Sequence, residues 1–285
     1  MIIGFLGKGG SGKSSVSTQM ALWLKEQGRE VLAIDADHNM DLSFNLTEGN
    51  IPEGMYYIGS SLNELQACVN LSPDEKYTKA FLRGSDTRFS FNRDKIDNFT
   101  KKYSYPVSGM RLMTAGPQTD QVLFGQSCSH VLTTPLKIYL PFLEVGENEA
   151  VIVDEKAGAD GVTTGIVTGI DVAVIVCEPA LHSIKTAKQI SELLEFYETP
   201  YIIVANKITS YSDEEFINTN LNKTIESYFT HTDQIRREPS VLAKDWDENL
   251  NKLYKKASSL NRNNRIERTT KKFVRNSQFS PPISL

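Results

Sequence analysis

Near its start the chain reads Gly7-Lys8-Gly9-Gly10-Ser11-Gly12-Lys13-Ser14, a match to G-x-x-x-x-G-K-[S/T]. The apolar run Ile2-Ile3-Gly4-Phe5-Leu6 before it predicts a strand. The pattern from Lys13 to about Gln27 after it predicts a helix, closed by Gly28. Strand, glycine loop and helix in that order suit phosphate binding. The glycines let backbone N–H groups turn inward around phosphate oxygens, and the helix N-terminus adds its dipole. Gly9, Gly10, Ser11, Gly12, Lys13, Ser14 and Ser15 are then the expected cradle. Lys13 would reach the β- and γ-phosphates, and Ser14 would offer its hydroxyl to Mg²⁺.

Outward from the loop, apolar runs alternate with helical patterns. Further strands are expected at Val31–Asp35, Arg111–Thr114, Ala150–Asp154, Val172–Cys177 and Tyr201–Ala205. The last three are continuous apolar, β-branched runs, as strands covered on both faces require. Helices are expected at Ser183–Tyr197, Asp213–Ser227 and Val241–Lys256. The predicted class is α/β, a doubly wound, mostly parallel sheet flanked by helices. Residues 46–107 break the rhythm. They are polar but carry Tyr56, Tyr57, Tyr77, Phe81, Phe89 and Phe91, and read as an α-rich insertion after the second strand: a lid, a partner surface or decoration. The domain is expected to run from 1 to 260.

Residues 261–285 are expected to form a mobile basic tail. From Asn251 to Leu285 there are nine Lys/Arg against one acid, Glu267, and apolar periodicity fades after Leu260. The rest is unexceptional: 285 residues, 40% hydrophobic, 23% charged, formal net charge −4. That balance gives no general reason to expect nucleic-acid binding. No apolar stretch reaches the roughly 18–20 residues that cross a bilayer. The short apolar start does not read as a signal peptide, and the three cysteines argue against a disulfide framework. A cytoplasmic enzyme is the expectation.

Lys8 gives the loop a second lysine, in a Lys-Gly-Gly-x-Gly-Lys-Ser pattern. Here the sequence resembles the deviant-Walker-A branch of the P-loop ATPases, the MinD/ParA/nitrogenase-iron-protein superfamily. The resemblance implies that Lys8 crosses a homodimer interface to phosphate on the partner. It further implies that Asp37, in Asp35-Ala36-Asp37, orients or deprotonates the attacking water. Asp154, ending Val151-Ile152-Val153-Asp154, would hold Mg²⁺ through water. Ala157-Gly158 resembles a second switch in which Gly158 senses the γ-phosphate. Asn206-Lys207 resembles the base-reading motif, with Asn206 facing the adenine edge. ATP/ADP and Mg²⁺ are the implied cofactors. Read alone, Lys8 is a solvated loop lysine and each aspartate a loop cap; their order along the chain favours the family roles.

The client is the open question. Thr114-Ala115-Gly116-Pro117, followed by Gly125-Gln126-Ser127-Cys128, is similar to a stretch that carries a cluster cysteine in nitrogenase-type iron proteins, and Gly125 to His130 resembles the Gly-x-x-Cys-x-Cys metal stretch of the CooC-type nickel-insertion ATPases of carbon monoxide dehydrogenase. Cys128 and His130 stand at the two ligand positions, so a dimer-shared Ni²⁺ or Zn²⁺ site is implied, as is a client metalloenzyme. The alternative for this pair is a half-buried thiol beside a surface histidine. Two departures count against close identity. No second cysteine follows Asp154, which disfavours iron–sulfur electron transfer, and Lys156 stands where that group's pattern has Glu. The resemblance thus implies a dimeric ATP-driven maturation or metal-insertion factor. The alternative is a positioning or partition ATPase acting on membrane or DNA, for which the basic tail is the support; a third reading is a slow-hydrolysing regulator.

Overall fold

The structure is a computed structural model that describes residues 1–118, 124, 129–163, 165–262 and 264–278. Its strands form one eight-stranded sheet in the order β3-β4-β2-β5-β1-β6-β7-β8. The strands are β1 (Ile2–Gly7), β2 (Glu30–Asp35), β3 (Tyr105–Val107), β4 (Met110–Thr114), β5 (Glu149–Asp154), β6 (Val172–Cys177), β7 (Tyr201–Ile208) and β8 (Ile225–Thr230). Neighbours are parallel except the β3–β4 hairpin. β1 lies between β5 and β6, where the winding changes direction. Ligands of open α/β sheets bind beyond the carboxyl ends of the strands at such a point. The doubly wound class expected from the alternation is the one found.

Alternation along β1 shows how the sheet is covered. Ile2 and Leu6 face one core with Leu32, Ile34, Val151, Val153 and Ile175. Ile3 and Phe5 face the other with Ala33, Ile152, Val174 and Val204. Helix α1 (Lys13–Glu26) covers the second face through Val16, Met20 and Leu24. Each buried aliphatic side chain contributes roughly 1.5–3 kcal/mol relative to exposure, so both faces are committed to the body.

The insertion contributes to the first core. After α2 (Asp41–Thr47), which leads into it, it carries α3 (Leu62–Cys68), α4 (Lys79–Leu82), α5 (Asn98–Tyr103) and β3. Phe81 stacks on Phe142 of α6 (Leu136–Phe142) with ring centroids 5.0 Å apart, and Phe89 and Phe99 pack on Tyr139. The Tyr139 hydroxyl and Thr100 Oγ1 share a hydrogen bond of 2.8 Å. Of the aromatic residues flagged in sequence, Phe81, Phe89 and Phe91 are buried and Tyr56 is exposed.

Downstream, α7 (Asp160–Thr163) follows β5, α8 (Leu181–Phe196) links β6 to β7, and α9 (Tyr211–Leu221) links β7 to β8. The helix expected over Asp213–Ser227 is corrected here. Ser210 and Asp213 form a capping box at its start, Asn222 ends it at φ 55°, and residues 225–230 become strand β8. The reason is legible in Ile225-Glu226-Ser227-Tyr228-Phe229: its buried positions alternate, a period of two rather than 3.6. The helix expected at Val241–Lys256 is likewise shifted. α10 (Asp233–Arg237) comes first, and α11 (Asp247–Leu260) follows a 3₁₀ turn at Lys244–Trp246.

The expectation of a mobile tail does not describe residues 265–273. They belong to α12 (Arg265–Gln278) and pack on the body. Arg265 Nη1 bonds both Asp171 carboxylate oxygens at 2.8 Å, and Nη2 donates to the Leu143 carbonyl at 2.6 Å. Phe273 meets Phe81 and Tyr77. The basic composition hid this, because the anchoring residue is itself an arginine whose acid lies 94 positions upstream.

Candidate phosphate site

β1 delivers the glycine loop to the carboxyl edge of the sheet, and α1 begins immediately after it. Gly12 is the residue before the helix, at φ 86° and ψ 23°. Gly10 lies at φ 84°. L-residues with side chains rarely adopt these values. At Gly7 the demand is space, because a Cβ there would sit 2.6 Å from the Val176 carbonyl oxygen and 2.7 Å from Ser11 Oγ.

Lys13 is buried, and its Nζ donates to Asp154 Oδ1 at 2.9 Å and to Ser14 Oγ at 3.3 Å. Burial alone would lower the ammonium's pKa. The carboxylates of Asp154, Asp37 and Asp35 more than offset it and hold Lys13 above the ordinary lysine range. The other oxygen of Asp154, Oδ2, is buried without a hydrogen-bond partner among the described residues, as is Ser11 Oγ. Burial also pushes Asp154 upward, against the pull of Lys13.

Three more acids converge here. Asp37, at 4% exposure, accepts from the Asn39 N–H at 3.2 Å and lies 3.3 Å from His38 Nδ1. Asp35 is fully buried. Its Oδ2 accepts from the Ser43 N–H and hydroxyl at 2.7 and 2.8 Å, and its Oδ1 from the Asp37 N–H at 3.2 Å. Burial, with the Asp154 charge added, pushes Asp35 up to about 7. Glu155 is 1% exposed with Oε1 unpartnered, and burial pushes it up to about 8. Asp37 and Asp154 stand in recognisable motifs; Asp35 and Glu155 carry no such signal. Position was the missed signal, since Asp35 pairs with Asp154 across β2 and β5.

The remaining residues named from sequence lie around the same loop. The Gly158 N–H, at φ 88°, donates to the Gly7 carbonyl at 2.8 Å, so the segment after β5 touches the loop directly. Asn206 Nδ2 donates to the Ser11 carbonyl at 2.9 Å, and Lys207 Nζ to the Gly10 carbonyl. Ser15 lines a pocket of about 180 Å³ with Gly12, Asn206, Lys207, Thr230, His231, Arg236 and Trp246. The last four were not foreseen, because they come from β8 and the segments after it. Lys8 is partly exposed, and its Nζ donates to the neighbouring Gly9 carbonyl at 3.1 Å.

Cys128 lies outside the described residues, and of His130 the structure gives only the backbone, in a 3₁₀ turn at Ser129–Thr133. Among the described residues no group of three or more His, Cys, Asp or Glu is placed to hold a metal ion. Cys68 is half-buried, and Cys177 is buried at the end of β6. No helix among the described residues is long and apolar enough to cross a membrane.

This geometry has relatives. The profile of the CbiA family, described as the CobQ/CobB/MinD/ParA nucleotide binding domain, matches residues 2–260. An uncharacterized ATP-binding protein of Methanocaldococcus jannaschii is 27% identical over 224 residues, covering 78% of this chain and 84% of the relative. The carbon monoxide dehydrogenase accessory protein CooC of Rhodospirillum rubrum is 29% identical over 224 residues, covering 76% and 78%. Among solved structures, the cell division ATPase MinD of Pyrococcus furiosus superposes with a TM-score of 0.61 at 15% identity, over 91% of this chain and 98% of that one. At that identity the likeness is one of fold. The chain belongs to the CobQ/CobB/MinD/ParA nucleotide-binding family and is a P-loop ATPase.

Proposed function

We propose that this ATPase is a dimeric, Mg²⁺-dependent switch that serves the maturation of a metalloenzyme by metal insertion. The observation that carries the switch is the Lys13–Asp154 pair. Lys13 is clasped by Asp154, while Asp154 Oδ2 and Ser11 Oγ have no partner among the described residues. A triphosphate competes for Lys13 with a higher charge than one carboxylate. Ser14 and Asp154 are hard oxygen donors suited to Mg²⁺, which when bound neutralises phosphate charge. A solved MinD of Pyrococcus horikoshii with this fold, at a TM-score of 0.57, is complexed with Mg-ADP.

The residues then divide the work. Lys13 transfers from Asp154 to the β- and γ-phosphates. Asp37 orients the attacking water and accepts its proton, with His38 beside it. Gly158 exchanges the Gly7 carbonyl for a γ-phosphate oxygen, which carries the nucleotide state into the segment after β5. Asn206 faces the adenine edge in the pocket of about 180 Å³. Lys8, partly exposed on the loop, reaches the phosphates of a second copy. Two Cys128/His130 pairs, one from each copy, would supply the thiolate and imidazole ligands for a Ni²⁺ or Zn²⁺ cargo.

Support for the maturation role comes from the likeness to the CooC accessory protein and from the Cys-x-His spacing. The test is metal content and oligomeric state of the purified chain with ADP and with a non-hydrolysable ATP analogue. A dimer with ATP analogue holding about one metal per two chains, lost in Cys128→Ala, is the expected result. Unchanged metal content in Cys128→Ala removes the cargo site. The second reading, a positioning or partition ATPase, draws on the MinD and ParA fold neighbours and on the basic composition of residues 251–285. ATP-dependent binding to anionic vesicles or DNA, falling steeply with salt, would favour it.

A further inference from the structure

Two consecutive residues at the end of β7 hold the phosphate loop from outside. Asn206 takes the Ser11 carbonyl and Lys207 the Gly10 carbonyl. The pairing of β7 with β8 shifts register between Ala205 and Ile208, and Lys207 sits at φ 61°. That backbone costs a residue with a side chain on the order of 1–2 kcal/mol. The irregularity is therefore held in place by what its side chains grasp, and such a bulge serves to re-aim side chains beside a site. Lysine offers three donors, and Lys207 Nζ spends a second on Glu178 Oε2 at 2.8 Å. Glu178 follows β6, and its own N–H donates to Ser183 Oγ at 3.1 Å. An unbroken chain of bonds thus runs from Ser183 through Glu178 and Lys207 to Gly10, across the carboxyl ends of β6, β7 and β1.

We propose that Glu178 is a positioning residue of the nucleotide site: it holds the Lys207 ammonium on the Gly10 carbonyl and thereby fixes the Gly10–Ser11 peptide plane. The Ser11 N–H belongs to that plane and donates to the Lys8 carbonyl at 3.0 Å, closing the turn that presents Lys8. Without Glu178, the Lys207 ammonium, whose side chain is 41% exposed, exchanges the carbonyl for water. Gly10 has open space around it: among the described residues no atom beyond its chain neighbours lies within 4 Å of the position of a Cβ. A half-exposed ion pair adds little to global stability. Its effect is on the shape of the loop. This inference rests on reading the loop as the nucleotide site.

The test is a double-mutant cycle of wild type, Glu178→Gln, Lys207→Met and both together, titrated with ADP by calorimetry. Amide resonances of Gly10 and Ser11 in the nucleotide-free protein give a second readout. Each single variant is expected to weaken ADP binding about threefold to tenfold. The double variant is expected to be no weaker than Lys207→Met alone, with the same two amides shifted in all three. Glu178→Asp, which keeps the charge, falls between wild type and Glu178→Gln and replaces the latter if it folds poorly. Additive losses in the double variant overturn the relay. So does a Glu178→Gln protein that is less heat-stable but binds ADP as wild type with unmoved amides. A wild-type chain that takes up no nucleotide sinks the nucleotide reading itself, a failure the wild-type titration separates from the others.

Discussion

Lys13–Asp154 and Arg265–Asp171 are both buried ion pairs, at opposite ends of the same sheet, and they differ in what is left unbonded. Both Asp171 oxygens are taken up: Arg265 Nη1 bonds each at 2.8 Å, and Oδ2 also accepts the Ile2 N–H at 2.7 Å. Of the Arg265 guanidinium, only Nε lacks a partner. At the other end, Asp154 uses one oxygen, and three further acids crowd one lysine. A buried pair with its lone pairs filled is a structural fixture; one with an oxygen spare and like charges around it is ready to exchange partners. The same sheet thus carries an anchored amino-terminal edge and a chemically unsettled carboxyl edge.

The sharpest way to break this contrast is at Lys13. Lys13→Ala is expected to cost nucleotide affinity on the order of 2–5 kcal/mol, about thirtyfold or more, by calorimetric titration with Mg-ADP. An affinity within a fewfold of wild type would mean that the pair is not exchanged for phosphate.

Asp171→Ala should act on stability instead. It strands Arg265 and the Ile2 N–H, a loss of about 3–5 kcal/mol read from chemical denaturation, with ADP affinity intact where the protein remains folded. Asp154→Asn is the counterpart. It relieves like-charge crowding, so stability without nucleotide should hold or rise while the Mg²⁺ dependence of ADP binding weakens. Equal destabilisation by the two aspartate variants would mean that the two ion pairs do not differ in kind.

pH provides a smaller, signed effect. Asp35 and Glu155 keep their protons in the folded, nucleotide-free chain up to about pH 7 and 8, and release them near about pH 4 when unfolded. Across that window the folded state binds more protons, so stability falls as pH rises. Thermal midpoints without nucleotide should decline by a few degrees between about pH 5 and pH 8, and Asp35→Asn should flatten the slope. A rise over that range would show the carboxylates to be stabilised as anions.

The smallest expected effect is at Lys8. Because its ammonium is at the surface, Lys8→Ala should change stability by no more than about 0.5 kcal/mol. ADP affinity of the monomer should hold, and sedimentation should show the ATP-dependent dimer lost. A dimer that survives would assign Lys8 to the solvated face.

How much was legible beforehand depended on the range of the interaction. The loop Gly7–Ser14, its strand and its helix could be read directly, because G-x-x-x-x-G-K-S is a local requirement met by neighbouring residues. The buried strands β5, β6 and β7 were equally plain, since a run covered on both faces must be apolar throughout. β8 was misread as the end of a helix, because a short half-buried strand offers only three buried positions in its period. The basic carboxyl-terminal segment was misread for a different reason. Composition marked it as mobile, whereas a single arginine met a carboxylate 94 residues away.

What the sequence determined by itself was therefore the fold class and the phosphate loop, both written in short-range patterns of apolar and glycine residues. Only the tertiary structure decided that Asp35 and Glu155 join Asp37 and Asp154 around Lys13. It alone brought Lys207 and Glu178 to the Gly10 carbonyl, and it alone joined α12 to the body. Those are encounters between strand ends brought together by parallel pairing, and adjacency at the edge of a sheet has no counterpart in the spacing of residues along the chain.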